Sequence, residues 1–166
     1  VGDTISVATE LNTSNYTKAL WFKAPSSPTG NFISTQTTGH YFWFAEGNKI
    51  GAAHAGTTTS GTTGLLSVND FNDNQWHYAV LTYEGSTLTL YIDGEIEVQN
   101  TGVTTPPSDT SIEIGSFNGG NGSFNGNIAE ASIWNKALSE TEIQKSMHSS
   151  LKGDEAGLVG YWPLND

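Results

Sequence analysis

Hydrophobic and polar residues alternate along residues 75–95, the most regular stretch of the chain. A period of two in β-branched and aromatic residues is typical of strands with one buried face. The stretch contains two such strands separated by a short turn, and Asp93-Gly94 follows the second strand. This pair favours a tight hairpin turn, because glycine adopts a positive φ without strain. We therefore predict a hairpin at the centre of a larger antiparallel sheet. The residues predicted to build its core face are Trp76, Leu88, Leu90 and Ile92.

Shorter segments with the same strand signals follow one another along the rest of the chain. They are residues 4–7, 19–24, 32–34, 41–45, 49–54, 65–68, 95–98, 111–115, 128–134 and 158–162. Ser139 and Glu142 form a capping box, which predicts a helix that runs to about Ser149. No repeat or linker divides the chain. We interpret residues 1–166 as one all-β domain, excised from a larger secreted protein, with two antiparallel sheets and one short C-terminal helix.

The composition restricts the classes of partner. The chain has 17 acidic and 6 basic residues, a net charge of -11 at pH 7 and no cysteine. A field of this sign repels phosphate backbones, so nucleic acid is a poor candidate partner. No stretch approaches the roughly 18 consecutive apolar residues of a membrane span, so we expect no membrane insertion. The lack of cysteine excludes disulfides and thiolate metal sites.

Four motifs, in the order in which they occur, resemble those of a known family. They are residues 19–25 (ALWFKAP), 74–80 (NQWHYAV) with the turn at 91–95 (YIDGE), 124–139 (FNGNIAEASIWNKALS) and 158–164 (LVGYWPL). Together they resemble a laminin-G-like domain, of the bacterial three-motif type, in the concanavalin A-like lectin/glucanase superfamily. The resemblance implies a jelly roll of two antiparallel sheets. It also implies an extracellular or cell-surface module, which we expect to be monomeric.

Catalysis has little support in the sequence. Asp93, Glu95 and Glu97 have the i, i+2, i+4 spacing that family-16 glycoside hydrolases of this fold carry on one strand. However, Asp93 lies in the predicted turn and should not share a strand face with the two glutamates. The histidines are scattered, and no Gly-x-Ser-x-Gly elbow occurs. We therefore predict that the protein is not an enzyme.

One structural calcium ion is the cofactor that we consider. Calcium takes about six to eight oxygen ligands, mainly carboxylates and loop carbonyls. Asp70 and Asp73 lie in one predicted turn. The resemblance adds Asp3 and Glu130, which stand at positions where related domains often place ligands. These four residues are the predicted metal ligands.

Sugar binding requires an aromatic platform beside polar groups, because pyranose rings have apolar faces and hydroxylated rims. Tyr41 and Trp43 lie on one face of their strand, and Phe42 and Phe44 on the other. One pair must be core, and the other is free to face a groove. The asparagines of the glycine-rich loop at residues 116–127 either bind hydroxyl groups or only form turns. The predicted ligand-binding residues are Tyr41, Trp43, His54, Phe117, Asn118, Asn121 and Asn125.

These patterns favour non-catalytic binding of a polysaccharide or other glycan by an extracellular module of a bacterial enzyme or adhesin. The main alternative is a protein-interaction or spacer module without a sugar site. A glycan-cleaving hydrolase is the third function considered. The fold motifs do not separate these functions, because they consist mostly of packing and turn residues.

Overall fold

The computed structural model describes residues 5–7, 11, 13–35, 39–108 and 111–164. These residues form thirteen strands and one helix. The strands are β1 (Ile5–Val7), β2 (Asn15–Lys23), β3 (Gly30–Asn31), β4 (Ile33–Thr35), β5 (His40–Phe44), β6 (Ile50–His54), β7 (Gly64–Leu66), β8 (Trp76–Glu84), β9 (Thr87–Ile92), β10 (Glu95–Thr101), β11 (Ile112–Ile114), β12 (Asn127–Trp134) and β13 (Leu158–Trp162). The helix is α1 (Glu140–Met147), between β12 and β13.

The strands form two layers. The back sheet has six strands in the order β10-β9-β8-β2-β12-β13, and the front layer consists of β3-β5-β6-β7 and β1-β11-β4. The two parts of the front layer meet where the Phe32 amide donates to the Phe42 carbonyl at 2.8 Å. All pairings between these strands are antiparallel. The two-sheet antiparallel jelly roll and the short helix predicted from the sequence are confirmed.

Aromatic side chains from both layers meet in the core. The Phe32 ring centroid lies 5.0 to 5.3 Å from those of Phe22, Phe42, Phe44 and Phe124. Burying each such ring contributes roughly 1.5–3 kcal/mol, which holds the layers together. Because Phe42 and Phe44 occupy the inner face of β5, the alternation of the strand sends the other pair of aromatic residues outward.

The predicted hairpin is formed by β8, β9 and β10. Asp93 and Gly94 both have positive φ, at 53° and 87°. The Asp93 carboxylate secures the turn by accepting the Tyr78 amide at 2.8 Å. Trp76, in contrast, is 45% exposed. It lies on the outer face of the back sheet, outside the cluster that packs there, so the prediction that it builds core is wrong.

Helix α1 covers part of that outer face. The capping box is present as predicted, with the Ser139 side chain accepting the Glu142 amide and Glu142 accepting the Ser139 amide. Ile143 is fully buried against Tyr78 and Val80 of β8 and Trp134 of β12. Within the described part of the chain, no helix has the length and apolar character needed to cross a membrane.

The interior also contains a lysine. Lys18 shares the inner face of β2 with Tyr16 and Leu20 and is fully buried. Its Nζ donates to the carbonyls of Ile33 at 2.9 Å and His40 at 2.8 Å. Burial lowers the pKa of the Lys18 ammonium well below its usual value, because water no longer solvates the charged form.

Two buried histidines lie beside this lysine. His54 hydrogen-bonds the Tyr16 hydroxyl at 2.7 Å and the Thr104 carbonyl at 2.6 Å. The His40 ring meets the Pro107 carbonyl, but neither of its nitrogens makes a hydrogen bond of acceptable geometry with any of the described residues. Burial, assisted by the charge of Lys18, lowers the pKa of His40 to about 2. Burial lowers the pKa of His54 to about 4.

We predict that His40→Leu makes the fold less sensitive to acid. A histidine whose pKa is lower in the folded than in the unfolded state binds fewer protons when folded, so stability falls as the pH drops below about 6.5. Each histidine accounts for about 2 kcal/mol of this loss by about pH 5. In His40→Leu, the difference in unfolding free energy between about pH 7.5 and pH 5, measured with urea, should shrink by about that amount.

His148→Leu is the matched control, because His148 is exposed at the C-cap of α1. It should keep the pH dependence of the wild type. Burial lowers the pKa of His77, but its hydrogen bonds with Asp93 and Asp73 raise it overall. His77 therefore makes the folded state more stable as the pH falls. This contribution is the same in the wild type and in both variants. If His40→Leu showed the same pH dependence of stability as the wild type, the role of His40 in acid sensitivity would be contradicted.

Candidate functional site

The outer face of the front layer carries Tyr41 and Trp43 of β5. Their partners on the neighbouring strand β6 are Ala53 and Gly51. A Cβ on Gly51 would lie 2.8 Å from the Ala45 Cβ and 3.5 Å from the Trp43 ring. These small residues leave the space over the sheet that the two aromatic rings occupy.

The glycine-rich loop after β11 adds a third ring to this face. Phe117 contacts Tyr41 with a centroid distance of 5.3 Å, and Tyr41 contacts Trp43 at 5.8 Å, both edge to face. Tyr41 is covered and only 6% exposed, while Trp43 and Phe117 on either side of it are half-buried. We call these three residues the aromatic strip. The structure therefore brings together three of the residues predicted to bind a ligand.

A buried carboxylate holds the loop in place. Glu113 of β11 is fully buried on the same outer face. Its Oε1 accepts the Gly119 amide at 2.6 Å, and its Oε2 accepts the Ser116 hydroxyl at 2.7 Å and the Gly120 amide at 3.3 Å. Gly119 and Gly120 have positive φ, which turns both amides toward the one carboxylate.

Strand β3 fixes the far end of the loop. Asn31 Nδ2 donates to the Gly122 carbonyl at 3.1 Å, and Ser34 Oγ donates to Asn31 Oδ1 at 2.8 Å. Gly30 has a φ of 100°, and a Cβ there would lie only 2.2 Å from the Ser123 carbonyl oxygen. The loop is thus packed directly on the strand, and neither Glu113 nor Asn31 was among the predicted site residues.

The predicted asparagines have different environments. Asn118, with a φ of 48°, and Asn121 are exposed near Phe117, and Asn121 Nδ2 donates to the Asn118 carbonyl at 2.7 Å. Asn125 instead accepts the Thr29 amide at 2.9 Å and donates to the Ser27 carbonyl at 3.0 Å. Asn125 therefore ties two loops together.

His54 does not lie on this face. Alternation along β6 places Gly51 and Ala53 outside, and His54 inside with the buried lysine cluster. The prediction that His54 lines a ligand groove is contradicted, because the sequence showed which residues of β6 share a face but not which face is buried.

The described carboxylates predicted to bind calcium each have a partner within the chain. Asp70 pairs with Lys49 at 3.2 Å, and Asp73 accepts the Gln75 amide at 2.9 Å. Glu130 accepts the Tyr161 hydroxyl, and burial together with this carboxylate raises the pKa of Tyr161 to about 12. Asp3 lies outside the described residues. Among those described, no group of three or more His, Asp or Glu residues has an arrangement that could hold a metal ion.

The acidic residues with hydrolase-like spacing have structural roles. Asp93 forms the hairpin turn and contacts His77 Nδ1 at 2.7 Å. Glu97 accepts the amides of Val68 and Asn69 at 2.8 and 2.7 Å, and so joins the loop after β7 to the edge of the back sheet. Glu95 is exposed at the start of β10, beside the turn. The geometry agrees with the prediction that Asp93 would not share a strand face with the two glutamates.

The sequence matches the model of a laminin G family in the concanavalin A-like lectin/glucanase superfamily over residues 2–144, well over half of the chain. The chain belongs to this family. The resemblance drawn from the four motifs is therefore confirmed. A comparison with curated protein sequences finds no match.

Solved structures of this superfamily's fold resemble the chain closely in shape but not in sequence. A Bacteroides ovatus protein, provisionally named as carbohydrate-binding, has a TM-score of 0.75 at 16% identity over 96% of this chain and 50% of its own. A heptameric SAP-like pentraxin from Limulus polyphemus has a TM-score of 0.65 at 13% identity, covering 86% of this chain and 74% of the pentraxin. The binding domain of botulinum neurotoxin DC, in complex with rat synaptotagmin II, has a TM-score of 0.63 at 13% identity. That match covers 85% of this chain and 37% of the neurotoxin chain.

The chain spans half the length of the Bacteroides ovatus protein and a smaller share of the neurotoxin chain. At these identities the likeness shows the fold alone. It supports a lectin-like jelly roll and assigns no chemistry to the site.

We predict that Glu113→Ala loosens the glycine-rich loop. The substitution leaves the Gly119 and Gly120 amides without their acceptor and should cost about 2–3 kcal/mol of unfolding free energy. Hydrogen exchange should accelerate at these two amides more than at amides of β8. Glu46→Ala, which removes an exposed glutamate, is the control and should change neither quantity. Unchanged exchange at Gly119 and Gly120 in Glu113→Ala would contradict the role assigned to the carboxylate.

The calcium ion stays a prediction, and thermal melting tests it. An ion bound only to the folded state raises the melting temperature, because it shifts the folding equilibrium by mass action. Protein treated with a chelator should then melt several degrees below protein with added calcium, and magnesium should not substitute. Asp73→Asn should reduce the difference if Asp73 is a ligand. Identical melting curves with calcium and with chelator would contradict the prediction.

Proposed function

We propose that this domain binds carbohydrate without cleaving it, as an extracellular module of a larger bacterial protein. The observation that carries the proposal is the aromatic strip. Phe42 and Phe44 fill the core, while Tyr41, Trp43 and Phe117 are directed outward on the front layer. Outward-facing aromatic rings beside small residues provide a surface on which a ring-shaped ligand can stack.

The strip suits the apolar face of a pyranose ring. Trp43 has the largest ring of the three and is partly open to solvent, with the small residues Gly51 and Ala45 beside it. Stacking a sugar on Trp43 would remove water both from the C–H face of the sugar and from the indole ring. The exposed amides of Asn118 and Asn121, near Phe117, are suited to the hydroxyl groups at the rim of the sugar.

The support for a non-catalytic role comes from the carboxylates. Glycosidases require a pair of carboxyl groups flanking the scissile bond, one of which must be free to transfer a proton. Glu113, which is the carboxylate buried under the loop, accepts hydrogen bonds from three groups of that loop. Asp93 and Glu97 hold a turn and a loop at the other sheet. The superfamily membership and the provisional name of the Bacteroides ovatus protein point in the same direction.

A protein-interaction module is the second candidate. Trp76 is 45% exposed on the back sheet, and Ile96 is 53% exposed on the edge strand β10. Large exposed apolar residues are common at protein interfaces. A structural neighbour, the neurotoxin binding domain, is seen in complex with a protein partner. This candidate places the binding surface on the opposite layer, so mutation separates it from the first.

We predict that Trp43→Ala weakens glycan binding at least tenfold. Loss of a stacked aromatic ring removes on the order of 1–2 kcal/mol or more of the binding free energy. Binding is measured by affinity electrophoresis against soluble polysaccharides, followed by calorimetry with the best ligand.

Trp76→Ala is the matched control, because it removes an exposed tryptophan from the other layer. It should leave glycan affinity unchanged. Wild-type glycan binding by Trp43→Ala would refute the role of the strip. Loss of binding to a protein partner in Trp76→Ala, with no glycan bound by the wild type, would favour the second candidate.

A further inference from the structure

A cavity lies on the outer face of the back sheet, beside the part of that face that α1 covers. Its volume is about 430 Å³, within the range of roughly 300–1,000 Å³ that is typical of small-ligand sites. Strands β8, β9 and β10 form its floor, and the segment leading into α1 forms its wall. Its lining includes Thr82, Glu84, Thr89, Tyr91, Gln99 and Glu142.

The floor is built from aligned polar side chains. Thr82, Thr89 and Gln99 are register partners across three neighbouring strands. Thr89 is only 3% exposed, and its hydroxyl accepts Gln99 Nε2 at 3.0 Å. Thr82 is 6% exposed, and its side chain lines the cavity. Hydroxyl groups that line a cavity are available to the hydrogen-bonding groups of a ligand.

The alternation of the strands explains why this face is polar. Val80 and Tyr78, the next outward residues of β8, are buried under α1. Thr82 and Glu84 continue the same row beyond the residues that α1 covers, and both line the cavity. The polar floor therefore begins where the helix cover ends, and Tyr91 of β9 lies at the boundary as a half-buried ring.

The charges around the cavity select against anions. Glu84 and Glu142 line it. Lys136, which contacts Glu142 at 2.5 Å, is neutralised by that pair. The oxygens of Glu142 are occupied by Lys136 and by the Ser139 amide, so this carboxylate is not free to act as an acid or a base. An anionic ligand would lose its solvation here without gaining a cation.

We propose that this cavity is a second binding site, for a neutral pyranose unit, on the opposite layer from the aromatic strip. The hydroxyl groups of Thr82 and Thr89 and the amide oxygen of Gln99 bind sugar hydroxyls, and the Tyr91 ring contacts the apolar face of the sugar. The proposal rests on the proposed function in taking a glycan as the ligand class. It adds a separate place and restricts the ligand to uncharged sugars.

The test is a chemical-shift titration of the ¹⁵N-labelled domain. The probes are neutral oligosaccharides of glucose, mannose, xylose and galactose, with oligogalacturonate as the charged counterpart. A neutral probe should shift the amides of residues 82, 84, 89, 91 and 99, also in the Trp43→Ala variant. Oligogalacturonate should leave these amides unshifted.

Substitutions then test the floor. Thr82→Val keeps the shape of the side chain but removes the hydroxyl, and Gln99→Ala removes an exposed amide with little risk to the fold. Each should weaken binding at the back sheet about three- to tenfold, as expected for one hydrogen bond. Thr101→Val is the matched control, because Thr101 is an exposed threonine of β10 that does not line the cavity. Thr101→Val should leave binding at the back sheet unchanged.

The outcomes separate this inference from the proposed function. Shifts confined to the aromatic strip and its loop, abolished by Trp43→Ala, would overturn the back-sheet site and leave carbohydrate binding intact. Shifts at the back sheet that survive Trp43→Ala but weaken in Thr82→Val would establish it. Stronger shifts with oligogalacturonate than with neutral sugars would overturn it as stated. If no probe shifts either layer, both proposals fail.

Discussion

The structure depends on the register between β2 and β8, which pair over nine residues from Asn15–Glu84 to Lys23–Trp76. These two strands occupy the middle of the back sheet. The alternation of their side chains therefore determines which residues face the core and which face outward. Tyr16, Leu20 and Phe22 of β2 face the interior. Ala19 and Trp21 face α1. A slip of one residue would exchange the two sets and expose the core, and for this reason the register is strongly specified. Lys18 occupies an inner position of the same strand, and its ammonium is tolerated there because two backbone carbonyls accept its hydrogen bonds.

Much of this architecture follows from local sequence signals. The Asp93-Gly94 turn and the Ser139 capping box were predicted correctly because each depends on residues a few positions apart. The errors concern which face of a strand is buried. Alternation shows that Trp76 shares a face with Tyr78, and His54 with Ala52, but both faces of a strand in this chain carry apolar residues. Whether the helix extends over Trp76, and whether the interior accepts a histidine, is decided by contacts between distant segments. Periodicity contains no information on these contacts.

The same limit explains what was found and missed at the front layer. The aromatic strip was predictable because Tyr41 and Trp43 are two residues apart on one strand. Glu113 was not, since a glutamate between two isoleucines normally indicates an exposed position on the outer face of a strand. Its burial results from the loop that folds back over it, and the signal available was the pair of glycines at 119 and 120. Two consecutive glycines can point successive amides at one anion. The polar floor on the back sheet was missed for the opposite reason, because threonines in a strand are ordinary sheet formers and do not by themselves indicate a ligand.

Both candidate surfaces have the same construction. A pleated sheet alone is nearly flat and offers a small ligand no concave site, so a wall has to be added from outside the sheet. At the front layer the wall is the glycine-rich loop, held by the Glu113 carboxylate through the Gly119 and Gly120 amides. At the back sheet it is the segment leading into α1, held by the Glu142 carboxylate through the Ser139 amide. In each case one glutamate accepts at least one backbone amide that water would otherwise solvate, and this fixes the wall relative to the sheet. The two surfaces differ in the side chains that the sheet places beside the wall. Aromatic rings on small residues favour the apolar face of a sugar, and aligned hydroxyls favour its polar rim. The two proposed sites therefore use the same structural device on opposite layers of the jelly roll.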